Sequence, residues 1–288
     1  MGFLTNWLTD WLRDLLVGGI MSNLGGLFDN VGTQMGEITA MVGTTPSAWH
    51  PGIFNLIRQL SETIILPIAG VVLTFIATWE LIQMIIDKNN LGEIDGWLIF
   101  RWIFKTFVAV LILSNTFTAV MAIFDVSQSV VNSAGGLIGG ATAISPGMME
   151  EFRQTLMEMD LGPLLGLWLQ SFLIQFAVLA MNIIVIVIVY GRMIEIFILT
   201  SMAPIPFATL ASREFGSMGQ NYFKSLCAVA FQGFLILVCL AIYGVLLQSI
   251  VTGGDPIGAI WTALGYTILL CFTLFKTSSV SKSIFQAT

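Results

Sequence analysis

The densest group of residues able to do chemistry in this sequence lies between Gly191 and Lys224. Arg192 and Glu195 stand three apart in a helical run. At that spacing they can pair on one face and lower the energy of charges at a membrane edge. Pro204 and Pro206 alternate in Ala203-Pro204-Ile205-Pro206-Phe207-Ala208. Each proline lacks a backbone donor and restricts the residue before it, so the helix is expected to end there. Backbone broken at membrane depth is tolerated only inside protein or beside water. Arg213, Glu214 and Lys224 follow before the next apolar run. Two readings of the seven residues Arg192, Glu195, Pro204, Pro206, Arg213, Glu214 and Lys224 stand side by side. They form a structural elbow with satisfied charges, or a docking or gating surface.

Hydrolytic and metal chemistry find no support. His50 is the only histidine and stands beside Pro51. No Ser/His pair, paired aspartates or metal-ligand spacing is visible. Cys227, Cys239 and Cys271 fall in apolar runs without paired spacing and read as small core residues. The expectation is a protein that is not an enzyme, with no cofactor and no bound metal.

What must hold such a group in place follows from composition. Of 288 residues, 56% are hydrophobic and 10% charged, and the mean hydropathy is +0.90. Soluble domains carry about 25% charged residues. The deficit excludes an ordinary water-soluble globule and a disordered chain. With Lys plus Arg at 11 and a net charge of -6, the totals show no basic groove for nucleic acid. The fold class expected is an all-α integral membrane protein, with the lipid bilayer as its first partner.

Five apolar runs near residues 63–86, 101–124, 164–190, 223–250 and 257–275 are long enough to cross ~30 Å of hydrocarbon. Pro67 is expected to kink the first near its start, and Glu80 to reach the interface or a neighbouring helix. Arg101 and Lys105, four apart, are expected to snorkel to one headgroup layer. Before these spans lies an amphipathic segment. Leu4, Trp7, Leu8, Trp11, Leu12 and Leu15 recur at helical spacing opposite Thr5, Asn6, Thr9, Asp10, Arg13 and Asp14. It lacks the layout of a signal peptide. Its expected positions are flat in the headgroup layer, anchored by Trp7 and Trp11, or against a partner. Gly18, Gly19, Gly25 and Gly26 are expected to loosen the chain after it. A division follows: residues 1–50 as an extracytoplasmic segment and 51–288 as the polytopic domain.

The connection from Asp125 to Gly162 opens with Ser133-Ala134-Gly135-Gly136 and Gly139-Gly140-Ala141, small residues that suit either close helix approach or a flexible loop. A short helix is expected next, capped by Ser145, begun by Pro146 and ended by Gly162-Pro163.

Five crossings place Lys88, Arg101, Lys105, Arg192, Arg213, Lys224, Lys276 and Lys282 on one side. Arg13, Arg58 and Arg153 fall on the other. The positive-inside rule then sets the N-terminus outside and the C-terminus in the cytoplasm. A sixth span through Ile194 to Ala211 would strand Lys276 and Lys282 outside, so an interfacial or re-entrant course is preferred there.

The stretch from Gly191 to Lys224, with five spans and an interfacial N-terminal helix, resembles the TrbL-like polytopic inner-membrane subunit of conjugative type IV secretion systems, in the compact form of Gram-positive mobile elements. The resemblance implies a channel or scaffold subunit that helps move single-stranded DNA with its relaxase, or protein, across the cytoplasmic membrane. It also implies homo-oligomers beside a bitopic scaffold subunit and the energising ATPases. The outer loop and C-terminal tail are short for the larger members. The competing class is a stand-alone secondary transporter or small channel, which broken helices and a membrane-edge Arg192/Glu195 pair would suit. Its odd number of spans gives no obvious inverted repeat.

Overall fold

A computed structural model describes residues 2–86, 96–141, 146–251 and 256–287. All regular structure among the described residues is helical. In chain order the helices are α1 (Gly2–Val42), α2 (Pro46–Trp49), α3 (Pro51–Gln59), α4 (Leu66–Ile86), α5 (Gly96–Ser114), α6 (Thr116–Ala141), α7 (Pro146–Met157), α8 (Leu161–Met202), α9 (Pro204–Thr209), α10 (Gly216–Val251) and α11 (Pro256–Ile284). Lys88, the cap expected at Ser145 and most of the Thr252-to-Pro256 turn lie outside the described residues.

Five segments are long and apolar enough to cross a membrane: Pro51–Ile86, Gly96–Ser114, Leu161–Met202, Gly216–Ile250 and Pro256–Ile284. This is the expected number, and the protein is a multi-pass membrane protein. Large apolar side chains point away from the protein on these helices. Val71 is 72% exposed, Phe107 60% and Phe176 70%. In water such contiguous apolar surface would drive aggregation; in hydrocarbon it is the solvated face.

Several boundaries differ from the sequence expectation, each for a local reason. The second span ends at Ser114 rather than near Phe124. Ser114 Oγ donates to the Val110 carbonyl, Asn115 Nδ2 to Leu111 and Thr116 Oγ1 to Ile112 and Leu113. Three successive polar side chains thus bond back to the carbonyls of the preceding turn, where such bonds compete with regular helix. At Pro67, where a kink was expected, the first span departs from regular α-helix just before the proline. The six residues before α4, Leu60–Ile65, form a π-helical turn in which the Leu66 N–H reaches the Ser61 carbonyl. The wider turn absorbs the missing proline donor. Gly162-Pro163 does not end α7. It lies in the first turn of α8, where proline lacks nothing the helix needs.

The N-terminal glycines do not loosen the chain either. Helix α1 continues through them to Val42. The reason is packing rather than propensity. Beyond the amphipathic stretch, Leu16, Val17, Ile20, Leu24, Leu27, Ile38 and Val42 are buried in a core. Tertiary contact of this kind outweighs the ~1 kcal/mol that each glycine costs a helix relative to alanine.

The chain forms two compact units. One comprises Met1–Gly43, Val130–Tyr190 and Phe234–Thr277, the other Thr44–Ser129, Gly191–Gly233 and Ser278–Thr288. In the first unit, α1 packs with parts of α6, α7, α8, α10 and α11 around Ile20, Leu24, Leu164, Ile174, Met181, Leu237 and Ile260. Polar side chains link α1 to α8 there: Asn23 Nδ2 donates to Ser171 Oγ at 2.7 Å, and Gln175 Nε2 donates to Asn23 Oδ1 at 3.1 Å. A Cβ on Gly135 would collide with Thr39. The small-residue stretch is therefore helical there and lets α6 approach α1 closely.

The second unit has two apolar clusters. Ala69, Leu73, Ala109, Leu113 and Ala208 join α4, α5 and α9. Val120, Phe124, Met193, Ile196, Ala203, Phe207, Leu226, Val229 and Ala230 join parts of α6, α8 and α10 to α9.

Candidate functional site

All seven candidate residues between Arg192 and Lys224 fall in this second unit. Helix α8 stops at Met202, and α9 begins at once with Pro204 as its first residue. The alternating prolines were expected to end the helix. They do end α8, yet both sit in the first turn of α9, where the backbone N–H groups have no intrahelical partner in any case. Pro204, Pro206, Phe207, Ala208 and Thr209 are buried. The elbow is thus a wedge inside protein, the setting in which interrupted backbone is tolerated at membrane depth. Its fit is close: a Cβ on Gly219 of α10 would lie 2.6 Å from the Pro206 carbonyl oxygen and 2.7 Å from Leu210 Cγ.

The turn after α9 is tied by one side chain. Ser212 Oγ accepts from the N–H groups of Glu214 and Phe215 at 3.2 and 3.1 Å. That turn carries Arg213 and Glu214 outward, both exposed. Glu214 is then held by α4: Trp79 Nε1 donates to it at 3.1 Å and Gln83 Nε2 at 2.5 Å.

Arg192 and Glu195 do not pair. Arg192 is 4% exposed. Its Nε donates to the Val229 carbonyl at 3.1 Å and its Nη2 to the Ala230 carbonyl at 2.9 Å, while Nη1 has no partner. Ser127 Oγ also donates to the Ala230 carbonyl. A guanidinium without a carboxylate is thus held against the backbone of α10. Glu195 instead receives Lys282 Nζ from the C-terminal end of α11, at 3.1 Å. Ser281 Oγ donates to the Ala228 carbonyl at 2.5 Å, and the Phe285 ring lies 5.6 Å from that of Phe231. The residues past Phe275, expected as a small polar tail, continue α11 and pack on α8 and α10. Lys224 is half-buried on α10.

Sequence spacing did not bring Glu80 into this group, yet the structure does. Its carboxylate accepts from Lys105 Nζ at 2.7 and 2.8 Å and from the Arg213 N–H at 3.0 Å. One acid in α4 therefore fastens α5 and the α9–α10 turn together. Lys105 does not snorkel freely, whereas Arg101 remains exposed. The signal was divided over two segments: an acid inside one apolar run and a cation inside the next, 25 residues apart. His50, the lone histidine, accepts from the Ile53 N–H through Nδ1 at 3.2 Å and caps α3. Trp7 and Trp11 are 58% and 52% exposed on α1. Among the described residues no three His, Cys, Asp or Glu side chains cluster as a metal site would.

The arrangement is one of braced helices, with a buried cation and an exposed polar turn. A family model described as TrbL/VirB6 plasmid conjugal transfer like protein matches residues 31–204, more than half of the chain. No curated protein and no solved structure matches it significantly. The matched stretch contains the first three spans, Arg192, Glu195 and Pro204, and stops before Pro206, Arg213, Glu214 and Lys224. The chain therefore belongs to the TrbL/VirB6 plasmid conjugal transfer family, as a membrane-embedded subunit of the transfer machinery.

Proposed function

We propose that this chain is the channel or scaffold subunit of a conjugative type IV secretion machine in the cytoplasmic membrane, where it helps move single-stranded DNA with its relaxase, or protein, across the bilayer. The family match over residues 31–204 carries this reading, and five membrane-crossing segments support it. The N-terminal segment, residues 1–50, is assigned to the outer side and the C-terminus to the cytoplasm. Trp7 and Trp11 serve as interfacial anchors there. A single five-span chain carries few inward cations, so the working form is a homo-oligomer. It stands beside a bitopic scaffold subunit and the machine's ATPases. The compact form of Gram-positive mobile elements suits the short outer connection.

The exposed Arg213 and Glu214 are the part of the elbow available for docking. Arg192, Glu195, Pro204, Pro206 and Lys224 hold its shape. Arg192 is a buried cation kept without a counter-ion, which stability alone does not call for. A mating assay tests the reading. Donors with an in-frame deletion are expected to lose transfer by at least 100-fold and to regain it from a plasmid copy. Arg192→Met, at unchanged protein level, is expected to restore transfer at least 10-fold less well than wild type. Full transfer by the deletion strain would overturn the proposal; full transfer by Arg192→Met would remove only the role given to that residue.

A further inference from the structure

A notch of about 200 Å³ opens between α4, α5 and the α9–α10 turn. Its polar lining is Glu80, Gln83, Arg101, Lys105 and Arg213, with Trp102 beside them. Among the described residues, three cations thus face one carboxylate. That carboxylate is already engaged by Lys105 Nζ and by the Arg213 N–H. Glu214, on Trp79 and Gln83, lies outside the lining. The guanidinium groups of Arg101 and Arg213 have neither a hydrogen-bond nor an ion-pair partner among the described residues. Two such groups in one notch repel each other. An anion between them removes the repulsion, and the planar guanidinium fork matches a phosphate.

We propose that this notch binds the headgroup phosphate of an anionic glycerophospholipid. Two apolar grooves join it and argue for a lipid over any other phosphate. One, of about 440 Å³, shares Arg101 and Lys105 with the notch and continues past Phe104, Val108, Ile112 and Leu210. The other, of about 490 Å³, shares Trp102 and continues past Leu73, Val110 and Leu113. The first runs between α5 and the α9 segment and the second between α4 and α5; α4 and α5 belong to membrane-crossing segments. A charged seat with two apolar channels has the form of a diacyl lipid, and basic pockets between spans are a recurrent seat for anionic headgroups. A nucleic-acid strand would need stacking platforms for its bases. Among the described residues Trp102 is the one aromatic ring in the notch, and its Nε1 is committed to the Ala77 carbonyl at 3.1 Å. The inference rests on the multi-pass placement and not on the transfer reading.

Native mass spectrometry of the full-length chain, loaded with phosphatidylglycerol or with phosphatidylcholine of the same acyl chains, tests it. Wild type is expected to retain phosphatidylglycerol at least 10-fold better. R101Q/R213Q is expected to lose that preference, while R153Q, altered outside the notch, keeps it. If the double variant fails to fold, V108W, which fills one groove and leaves every cation in place, is expected to lower phosphatidylglycerol retention at least 3-fold. Equal retention of the two lipids by wild type, an unchanged preference in folded R101Q/R213Q, or unchanged phosphatidylglycerol retention in V108W would overturn the proposal. So would displacement of the lipid by millimolar inorganic phosphate, which would mark a free-phosphate site. Displacement by a single-stranded oligonucleotide would mark a nucleic-acid site and would overturn it equally.

Discussion

Glu80 shows how one side chain can brace three elements. Its carboxylate meets Lys105 from α5 and the Arg213 N–H from the α9–α10 turn. The pair is partly shielded, with side-chain exposures of 15% for Glu80 and 37% for Lys105. Glu80→Gln leaves an ammonium in that setting without its counter-ion, and charge-assisted hydrogen bonds are worth ~1.5–3 kcal/mol. The variant is expected to unfold at lower temperature in detergent. Glu80→Gln with Lys105→Met is expected to recover much of the loss, because no charge is then stranded. Equal destabilisation by the single and double variants would show that the pair does not hold these helices. At this scale the sequence was legible in part. Buried or braced charges were legible as types: an acid in one span, an arginine near the end of another. Their partners were not. Arg192 and Glu195 have the spacing to pair, but Arg192 found backbone carbonyls in α10 and Glu195 found Lys282, nearly ninety residues on. Local spacing permits an ion pair; tertiary geometry selects it.

At the scale of elements, apolar runs gave the number of spans, because length and hydropathy are summed over many residues. Boundaries depend on a few polar side chains and on what packs nearby. Ser114, Asn115 and Thr116, whose side chains bond back to the carbonyls of the preceding turn, mark the end of α5. Such residues are readable as a stop, yet the apolar residues beyond them outweighed that signal. The N-terminal glycines misled in the opposite sense, since burial in the first unit keeps α1 helical. The double proline was read correctly as the end of α8; the short helix α9 that begins on it was not foreseen, because a first turn accommodates prolines. The short helix α9 needs close approach by α10, and Gly219 provides it. Gly219→Val is expected to destabilise the protein by ~1–3 kcal/mol through overpacking. Gly191→Ala, where an added Cβ meets nothing within 4 Å, is expected to be neutral or to stabilise by up to ~1 kcal/mol. Thermal unfolding of the two variants in one detergent checks both. A tolerated valine at 219 would contradict the packing of the elbow.

For the molecule as a whole, composition and charge distribution carry most of the account. The proposed orientation, N-terminus outside and C-terminus in the cytoplasm, rests on eight lysines and arginines assigned to one side against three on the other with five crossings. Membership of the TrbL/VirB6 conjugal transfer family places that bundle in a transfer machine. The most direct measurement labels each end with a membrane-impermeant maleimide. The free cysteines Cys227, Cys239 and Cys271 are first replaced by alanine, and single cysteines are then added before Met1 or after Thr288. The N-terminal cysteine is expected to react in intact cells and the C-terminal one only after lysis. Reaction of both ends under the same condition would mean an even number of crossings and would contradict the five-span orientation. An N-terminal cysteine that reacts only after lysis, with a C-terminal one that reacts in intact cells, would invert it.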